Sequence, residues 1–205
     1  MLDSRLRSWI DPPLNRAGRE LAGLGITPNA VTAAGFLVGV AGAVAIALQA
    51  YTLGLWLILG NRLADGLDGA VARHTEPTDL GGYLDIVLDF LFYSGIVFAF
   101  AVADPERGLM AAFLIYSFVG TGCSFLAYAI VAAKRGITTE ARGRKAFYHL
   151  GGLTEGTETI VVLVLLCLWP AGFGWIAGIF GLLCWLTTAG RIGQAVRVFG
   201  DRDRL

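Results

Sequence analysis

The stretch Asp65-Gly-Leu-Asp68-Gly69-Ala-Val-Ala72-Arg73, followed after seven residues by Gly81-Gly-Tyr-Leu-Asp85-Ile-Val-Leu-Asp89, decides how the rest of the chain is read. Four carboxylates stand here inside or beside long apolar runs, where a bare charge is expensive in a bilayer. Asp65 and Asp68 are three residues apart, and Asp85 and Asp89 four apart. Each pair therefore projects from one face of its helix. Two such helices side by side bring four carboxylates into one small volume. Their mutual repulsion calls for cations, and hard divalent ions with oxygen ligands fit best. The sequence thus predicts a metal site built from Asp65, Asp68, Asp85 and Asp89 in a membrane.

The composition supports that setting. Hydrophobic residues make up 56% of the 205 and charged residues 16%, with a mean hydropathy of +0.65. A spanning helix needs roughly 20 mostly apolar residues. Six stretches qualify, at about 29–50, 53–73, 81–103, 108–133, 151–169 and 172–196. Short connections join them, so the expected fold is an all-α integral membrane protein, one six-transmembrane-helix bundle. Membrane lipids are then expected partners and no nucleic acid is expected; the net charge of zero by itself carries no information about partners.

The distribution of charge sets the orientation. Arg5, Arg7, Arg16 and Arg19 precede the first stretch, and Lys134, Arg135, Arg142, Arg144 and Lys145 fill the fourth connection. Arg191, Arg197, Arg202 and Arg204 lie near the C-terminus, whereas the first and fifth connections have no Lys or Arg and the third has only Arg107. The excess of basic residues in loops marks the cytoplasmic side. Both termini and the carboxylate ends of the second and third stretches are therefore expected in the cytoplasm. Asp65 would lie about eight residues, or roughly 12 Å, from the helix exit.

Leu2, Leu6, Trp9 and Ile10 recur at helical spacing among Asp3, Arg5 and Arg7. That pattern predicts an N-terminal amphipathic helix lying in the interface and broken at Pro12-Pro13. No cleavable signal is expected, because residues 1–28 lack a continuous apolar core. Cys123, Cys167 and Cys184 each fall within a span without CxxC spacing, and read as buried, unpaired thiols.

Small residues accompany the carboxylates. Asp65, Asp68, Gly69 and Ala72 form one helical stripe that leaves room for a bulky ligand against the backbone. Arg73, one turn beyond Gly69, offers a planar fork suited to phosphate oxygens. Gly81 and Gly82 clear space at the start of the facing helix. Metal, arginine and a shaped gap together suggest a diphosphate. Gly35-x-x-x-Gly39 and Gly174-x-x-x-Gly178 read instead as helix-packing pairs.

The run Asp65-x-x-Asp68-Gly69-x-x-Ala72-Arg73, then Gly81-x-x-x-Asp85-x-x-x-Asp89, resembles the signature of the CDP-alcohol phosphotransferases in every fixed position. Ile26-Thr27-Pro28-Asn29-Ala-Val-Thr32 resembles the segment before that family's first helix, and the likeness extends over most of residues 20–197. It implies a membrane transferase that moves a phosphatidyl group from CDP-diacylglycerol, or a related CDP-lipid, to a small hydroxyl acceptor and releases CMP in phospholipid biosynthesis. It also implies two divalent cations, Mg²⁺ or Mn²⁺, and a homodimer. By position, Asp65, Asp68, Asp85 and Asp89 would hold the metals, with Asp89 also the general base. Gly69 and Ala72 would make room for the nucleotide, and Arg73 would hold its diphosphate. The chain then divides into an interfacial helix and connection (1–28), the six-helix domain (29–197) and a cytoplasmic tail (198–205). The implied location is the inner membrane of a prokaryote, with termini and active site cytoplasmic.

The acceptor is read from residues outside the signature. Arg135, Arg144, Lys145 and Arg191 suit a phosphorylated polyol such as glycerol phosphate or inositol phosphate. The basic connection serves equally to set topology and attract anionic headgroups. Glu155 and Glu158, beside Tyr148 and His149, either pair with those cations or line a pocket for an uncharged or cationic alcohol. Arg62 is expected to neutralise one carboxylate or reach the cavity. Intramembrane Asp residues also mark ion pathways, so a divalent-cation transporter is the alternative of another class. Against it, the acids cluster near one end and no polar trail crosses the membrane. A catalytically silent family member is a third reading, disfavoured by the presence of all four Asp residues.

Overall fold

A computed structural model describes residues 2–137 and 154–200, with side chains over 11–137 and 154–200. Among the described residues seven α-helices follow one another: α1 (Leu2–Gly23), α2 (Pro28–Ala47), α3 (Tyr51–Ala72), α4 (Asp79–Ala103), α5 (Gly108–Lys134), α6 (Gly156–Leu168) and α7 (Phe173–Gly200). Single 3₁₀ turns, Pro105–Arg107 and Pro170–Gly172, join α4 to α5 and α6 to α7. No strand occurs among the described residues.

Local chemistry sets the helix starts that flank the carboxylates. Thr27 caps α2 by accepting from the Ala30 amide at 3.3 Å, and Pro28 opens the helix where its missing N–H costs nothing. Thr78 does the same for α4, accepting from the Gly81 amide at 3.0 Å. Gly25 closes α1 at φ +78°, with the Ile26 amide bonded back to the Leu21 carbonyl at 3.1 Å. Glycine adopts that left-handed conformation without steric cost.

α1 continues through Pro12 and Pro13 instead of breaking there as expected. Each proline forfeits its own amide bond, but the two lost donors are adjacent and fall in one turn. The following turns are held by docking on α3, where Gly18 sits so close to Ala70 that a Cβ would lie 2.7 Å from its carbonyl carbon.

Among the described residues, four helical stretches are long and apolar enough to cross a membrane: Pro28–Ala47, Asp79–Ala103, Pro105–Lys134 and Pro170–Gly200. This is a multi-pass membrane protein. α3 has 22 residues but carries Arg62, Asp65 and Asp68, which turn toward α2 and α4. α6 has 13 residues, about 20 Å at ~1.5 Å per residue, and starts at Gly156 with Glu155 as its N-cap. The outer surface is apolar, with Leu37, Trp56, Phe98, Trp175 and Leu182 mostly exposed, as a lipid-facing surface must be. Cys167 and Cys184 are buried as expected, whereas Cys123 faces outward on α5; all three are free thiols.

α2 packs against α3 and α4, α4 against α5, and α5 against α7. Gly35 and Gly39 allow the first of these approaches, since Cβ atoms there would lie 2.7 Å from Ala64 Cβ and 2.6 Å from the Phe92 ring. Gly174 and Gly178 behave differently. Gly174 has nothing within 4 Å and Gly178 only Met110 Sδ of α5 at 3.9 Å, so among the described residues no close backbone approach falls on that pair. The apolar core sits toward the end remote from the carboxylates. There Phe100 stacks on Tyr51 with ring centroids 5.6 Å apart and meets Phe173 at 5.2 Å. Arg107 lies 5.8 Å from the Tyr51 ring and donates to its hydroxyl at 3.2 Å.

Candidate active site

α2, α3 and α4 converge on a small polar cavity lined by Thr32, Gly35, Phe36, Asn61, Arg62, Asp65, Asp68, Asp85, Leu88 and Asp89. The four predicted carboxylates all line it, in two arrangements. Asp65, Asp68 and Asp85 each bring a carboxylate oxygen within 4.8 Å of the others. At that separation each ionised pair repels by about 3 kcal/mol or more at an effective dielectric of ~20. A compact, all-oxygen, multiply anionic donor set of this kind suits a hard divalent cation. Asp68 is buried and its Oδ2 accepts from Thr32 Oγ1 at 2.7 Å.

Asp89 is held differently. Its Oδ1 accepts from Arg62 Nη2 at 2.8 Å, and its Oδ2 from the Tyr93 hydroxyl at 3.1 Å. Arg62 Nη1 donates to the Tyr93 hydroxyl at 3.0 Å and lies 3.5 Å from Asp65 Oδ2. Asn61 orients the arginine: its Oδ1 accepts from Arg62 Nε at 2.8 Å and Nη2 at 2.6 Å, while its Nδ2 donates to the Gly35 carbonyl at 2.8 Å.

The nucleotide candidates stand beside this cavity, at the end of α3. A Cβ at Gly69 would meet only Arg73 Nη1, at 3.8 Å, so space is open next to Asp68 and the arginine fork reaches back over it. Ala72 is half-buried one helical turn from Asp68. Arg73 is exposed and its Nε donates to Asn15 Oδ1 at 2.9 Å, tying α1 to the motif. Gly82 is open on the facing helix, whereas a Cβ at Gly81 would lie 3.1 Å from Asn29 Oδ1.

The acceptor candidates lie outside the cavity. Arg135 Nη1 donates to the Phe199 carbonyl at 3.0 Å, near the end of α7. Arg191 Nη1 donates to the Thr121 carbonyl at 3.0 Å; its buried Nε has no partner among the described residues. Glu155 and Glu158 form a reciprocal capping box at the start of α6, with the Glu155 amide donating to Glu158 Oε2 at 3.0 Å. A helix cap thus accounts for their spacing without a ligand. Arg144 and Lys145 lie outside the described residues, as do Tyr148 and His149.

Three side-chain contacts of the site were not foreseen from the sequence, although Thr32 ends the segment that carries the family resemblance. Tyr93 stands four residues after Asp89 on the same helix face, a spacing that could have revealed it. Thr32 and Asn15 gave no comparable signal, because their partners are 36 and 58 residues away.

Comparison with known proteins shows the family to which this fold belongs. The chain is 52% identical over 193 residues to the inner membrane protein YnjF of Escherichia coli, covering 94% of each. It is 37% identical over 105 residues to an archaetidylinositol phosphate synthase of Pyrococcus horikoshii, covering 51% of this chain and 56% of that protein. Its fold is similar to that of the phosphatidylinositol phosphate synthase of Mycobacterium tuberculosis, solved with CDP-DAG bound. The TM-score is 0.65 at 21% identity, over 89% of this chain and 93% of that one. The family model for CDP-alcohol phosphatidyltransferase matches residues 25–190, which include every residue of the carboxylate cavity, and the chain belongs to the CDP-alcohol phosphatidyltransferase family.

Proposed function

We propose that this protein transfers a phosphatidyl group from CDP-diacylglycerol, or a related CDP-linked lipid, to a small hydroxyl-bearing acceptor, with release of CMP. The observation that carries this reading is the meeting of Asp65, Asp68 and Asp85 within 4.8 Å beside the open space at Gly69 and the fork of Arg73. Asp65, Asp68, Asp85 and Asp89 would hold two divalent cations, Mg²⁺ or Mn²⁺. Such ions, when bound, neutralise the diphosphate and the charge growing on the departing CMP. The chain's own residues do the rest. Gly69 and Ala72 leave room for the nucleotide against α3, and the free Nη groups of Arg73 hold diphosphate oxygens. Asp89 takes the proton from the acceptor hydroxyl as its oxygen bonds to the lipid-bearing phosphorus. The bond from that phosphorus to the CMP oxygen breaks, and its electron pair leaves with CMP.

The acceptor best supported is a phosphorylated polyol, such as glycerol phosphate or inositol phosphate. Arg135 and Arg191 supply cationic side chains near the cytoplasmic ends of α5 and α7, and several relatives are named as archaetidylinositol phosphate or phosphatidylinositol phosphate synthases. An uncharged or cationic acceptor loses ground because Glu155 and Glu158 are engaged in the capping box. We place the chain in the inner membrane of a prokaryote, as six crossings that include α3 and α6. α1 would lie in the cytoplasmic interface, with both termini and the site on that side, and two copies would form a homodimer.

The test is CMP release by purified protein in detergent with CDP-diacylglycerol and Mn²⁺ against a panel of acceptors. Glycerol phosphate and inositol phosphate are set against inositol, serine, choline, ethanolamine and phosphatidylglycerol. Release with a phosphorylated polyol alone is expected, and Asp68→Asn should reduce it by more than about 100-fold, since even outer-shell partners of a metal site contribute 10–100-fold. Release only with an uncharged or cationic alcohol would overturn the acceptor assignment. Full activity of Asp68→Asn would overturn the metal site.

A further inference from the structure

Arg62 is the cation that this chain itself places among the four carboxylates. Its side chain is 11% exposed, and it reaches Asp89 at 2.8 Å and Asp65 at 3.5 Å. A guanidinium does not lose its proton in a protein, so the positive charge is permanent. Its orientation is fixed from three sides. Asn61 grips Nε and Nη2 and is itself bonded to the Gly35 carbonyl. Tyr93 bridges Nη1 and Asp89 Oδ2. The Phe92 ring, wedged against Gly39, stands 4.6 Å from the guanidinium carbon. Asp89 therefore has both carboxylate oxygens engaged by partners from the chain. Asp85, one turn earlier on α4, has no hydrogen bond or salt bridge among the described residues, and it completes the triad with Asp65 and Asp68.

We infer that Arg62 is a built-in counter-cation that reserves Asp89, so that the site takes its two divalent ions in order. The first binds at Asp65, Asp68 and Asp85, and the second binds tightly only when an anionic diphosphate arrives with it. This rests on the metal-centre reading given above. The argument is one of charge. With Arg62 and one divalent ion present, the four carboxylates retain a single net negative charge. A second ion would then enter a site it makes net positive, in surroundings of low dielectric where like charges repel strongly. A diphosphate restores the balance, and it can draw Asp89 and Arg62 apart by offering each a new partner. Arg62 is thus a positioning residue: it withholds Asp89 from the metal centre until the donor is bound.

The experiment is a Mn²⁺ titration of the purified full-length protein in detergent, followed by the electron paramagnetic resonance signal of free Mn²⁺, with and without CDP. The wild type should hold one ion tightly alone and two with CDP. Arg62→Gln should tighten the second ion without CDP by about tenfold or more, the scale expected for removing one neighbouring unit charge. Arg62→Lys keeps the charge and should stay close to the wild type. Tyr93→Phe, which loosens the bridge with little change of shape, should shift the second ion in the same direction as Arg62→Gln but less. It serves as the test if the glutamine variant does not fold. Two tight ions in the wild type without CDP would overturn the inference. So would an unchanged second site in both Arg62→Gln and Tyr93→Phe, or a lysine variant that behaves like the glutamine one. A wild type that binds no Mn²⁺ at all would overturn the metal-centre reading itself.

Discussion

Thr32 on α2 donates its hydroxyl to Asp68 on α3 at 2.7 Å, across 36 residues of sequence. The same hydroxyl lies 3.0 Å from the Pro28 carbonyl one turn back on its own helix. The Asp68 carboxylate is thereby tied across the helix interface, and α2, which contributes no acid, becomes part of the acidic site.

Thr32→Val keeps the shape of the side chain and removes the donor. Outer-shell partners of metal ligands typically contribute 10–100-fold in affinity or activity. The concentration of Mn²⁺ giving half-maximal CMP release should accordingly rise by about tenfold or more. An unchanged metal dependence would remove Thr32 from the site.

Gly69→Ala separates folding from ligand binding. The new Cβ would meet only Arg73 Nη1 at 3.8 Å, so the helix accommodates it, and alanine is favoured over glycine in a helix by up to about 1 kcal/mol. Thermal stability in detergent should hold or rise. The KM for the CDP-lipid should rise strongly, because the methyl occupies the space proposed for the nucleotide. A variant with unchanged KM would show that the opening at Gly69 is not where the donor binds.

Glu158→Ala should do the reverse. It breaks the reciprocal cap at the start of α6 at a cost of about 1 kcal/mol, lowering the melting temperature by a few degrees. Acceptor KM should stay as in the wild type. A large change in acceptor KM at unchanged stability would return these glutamates to the acceptor pocket.

Divalent cations should stabilise the fold as well as support turnover. Asp65, Asp68 and Asp85 repel one another unless an ion lies between them, so a ligand that binds only the folded state raises its stability. The gain is about 2.7 kcal/mol at 100 times the dissociation constant. The melting temperature should therefore fall on treatment with EDTA and recover on addition of Mg²⁺ or Mn²⁺. Asp68→Asn should show little response to either.

The sequence was most legible where spacing along one helix fixes geometry. Residues three and four apart share a face whatever surrounds them, so Asp65 with Asp68, and Asp85 with Asp89, could be placed together. Gly35 and Gly39 were readable for the same reason. Less legible was what depends on a neighbour far along the chain. Arg62 was visible as a charge in an apolar run, but its choice of Asp89 depends on the α3–α4 packing and on Tyr93. Asn15 reaches Arg73 only because α1 folds back over α3, and the same docking holds the turns that follow Pro12-Pro13 helical. Gly174 and Gly178 have no close approach among the described residues; a pair of small residues announces close approach without saying whether the partner belongs to the same chain.

The aromatic packing of Tyr51, Phe100 and Phe173 has a mechanical meaning. Together with Arg107, and with Gln49 donating to the Ala103 carbonyl at 2.9 Å, it fastens the helices at the end far from the carboxylates. At the other end, glycines and polar contacts take the place of large buried side chains. Segments with little buried apolar contact open at low free-energy cost. The bundle is thus built like forceps, riveted at the end where Tyr51, Phe100 and Phe173 meet, with the carboxylates at the less firmly fastened tips.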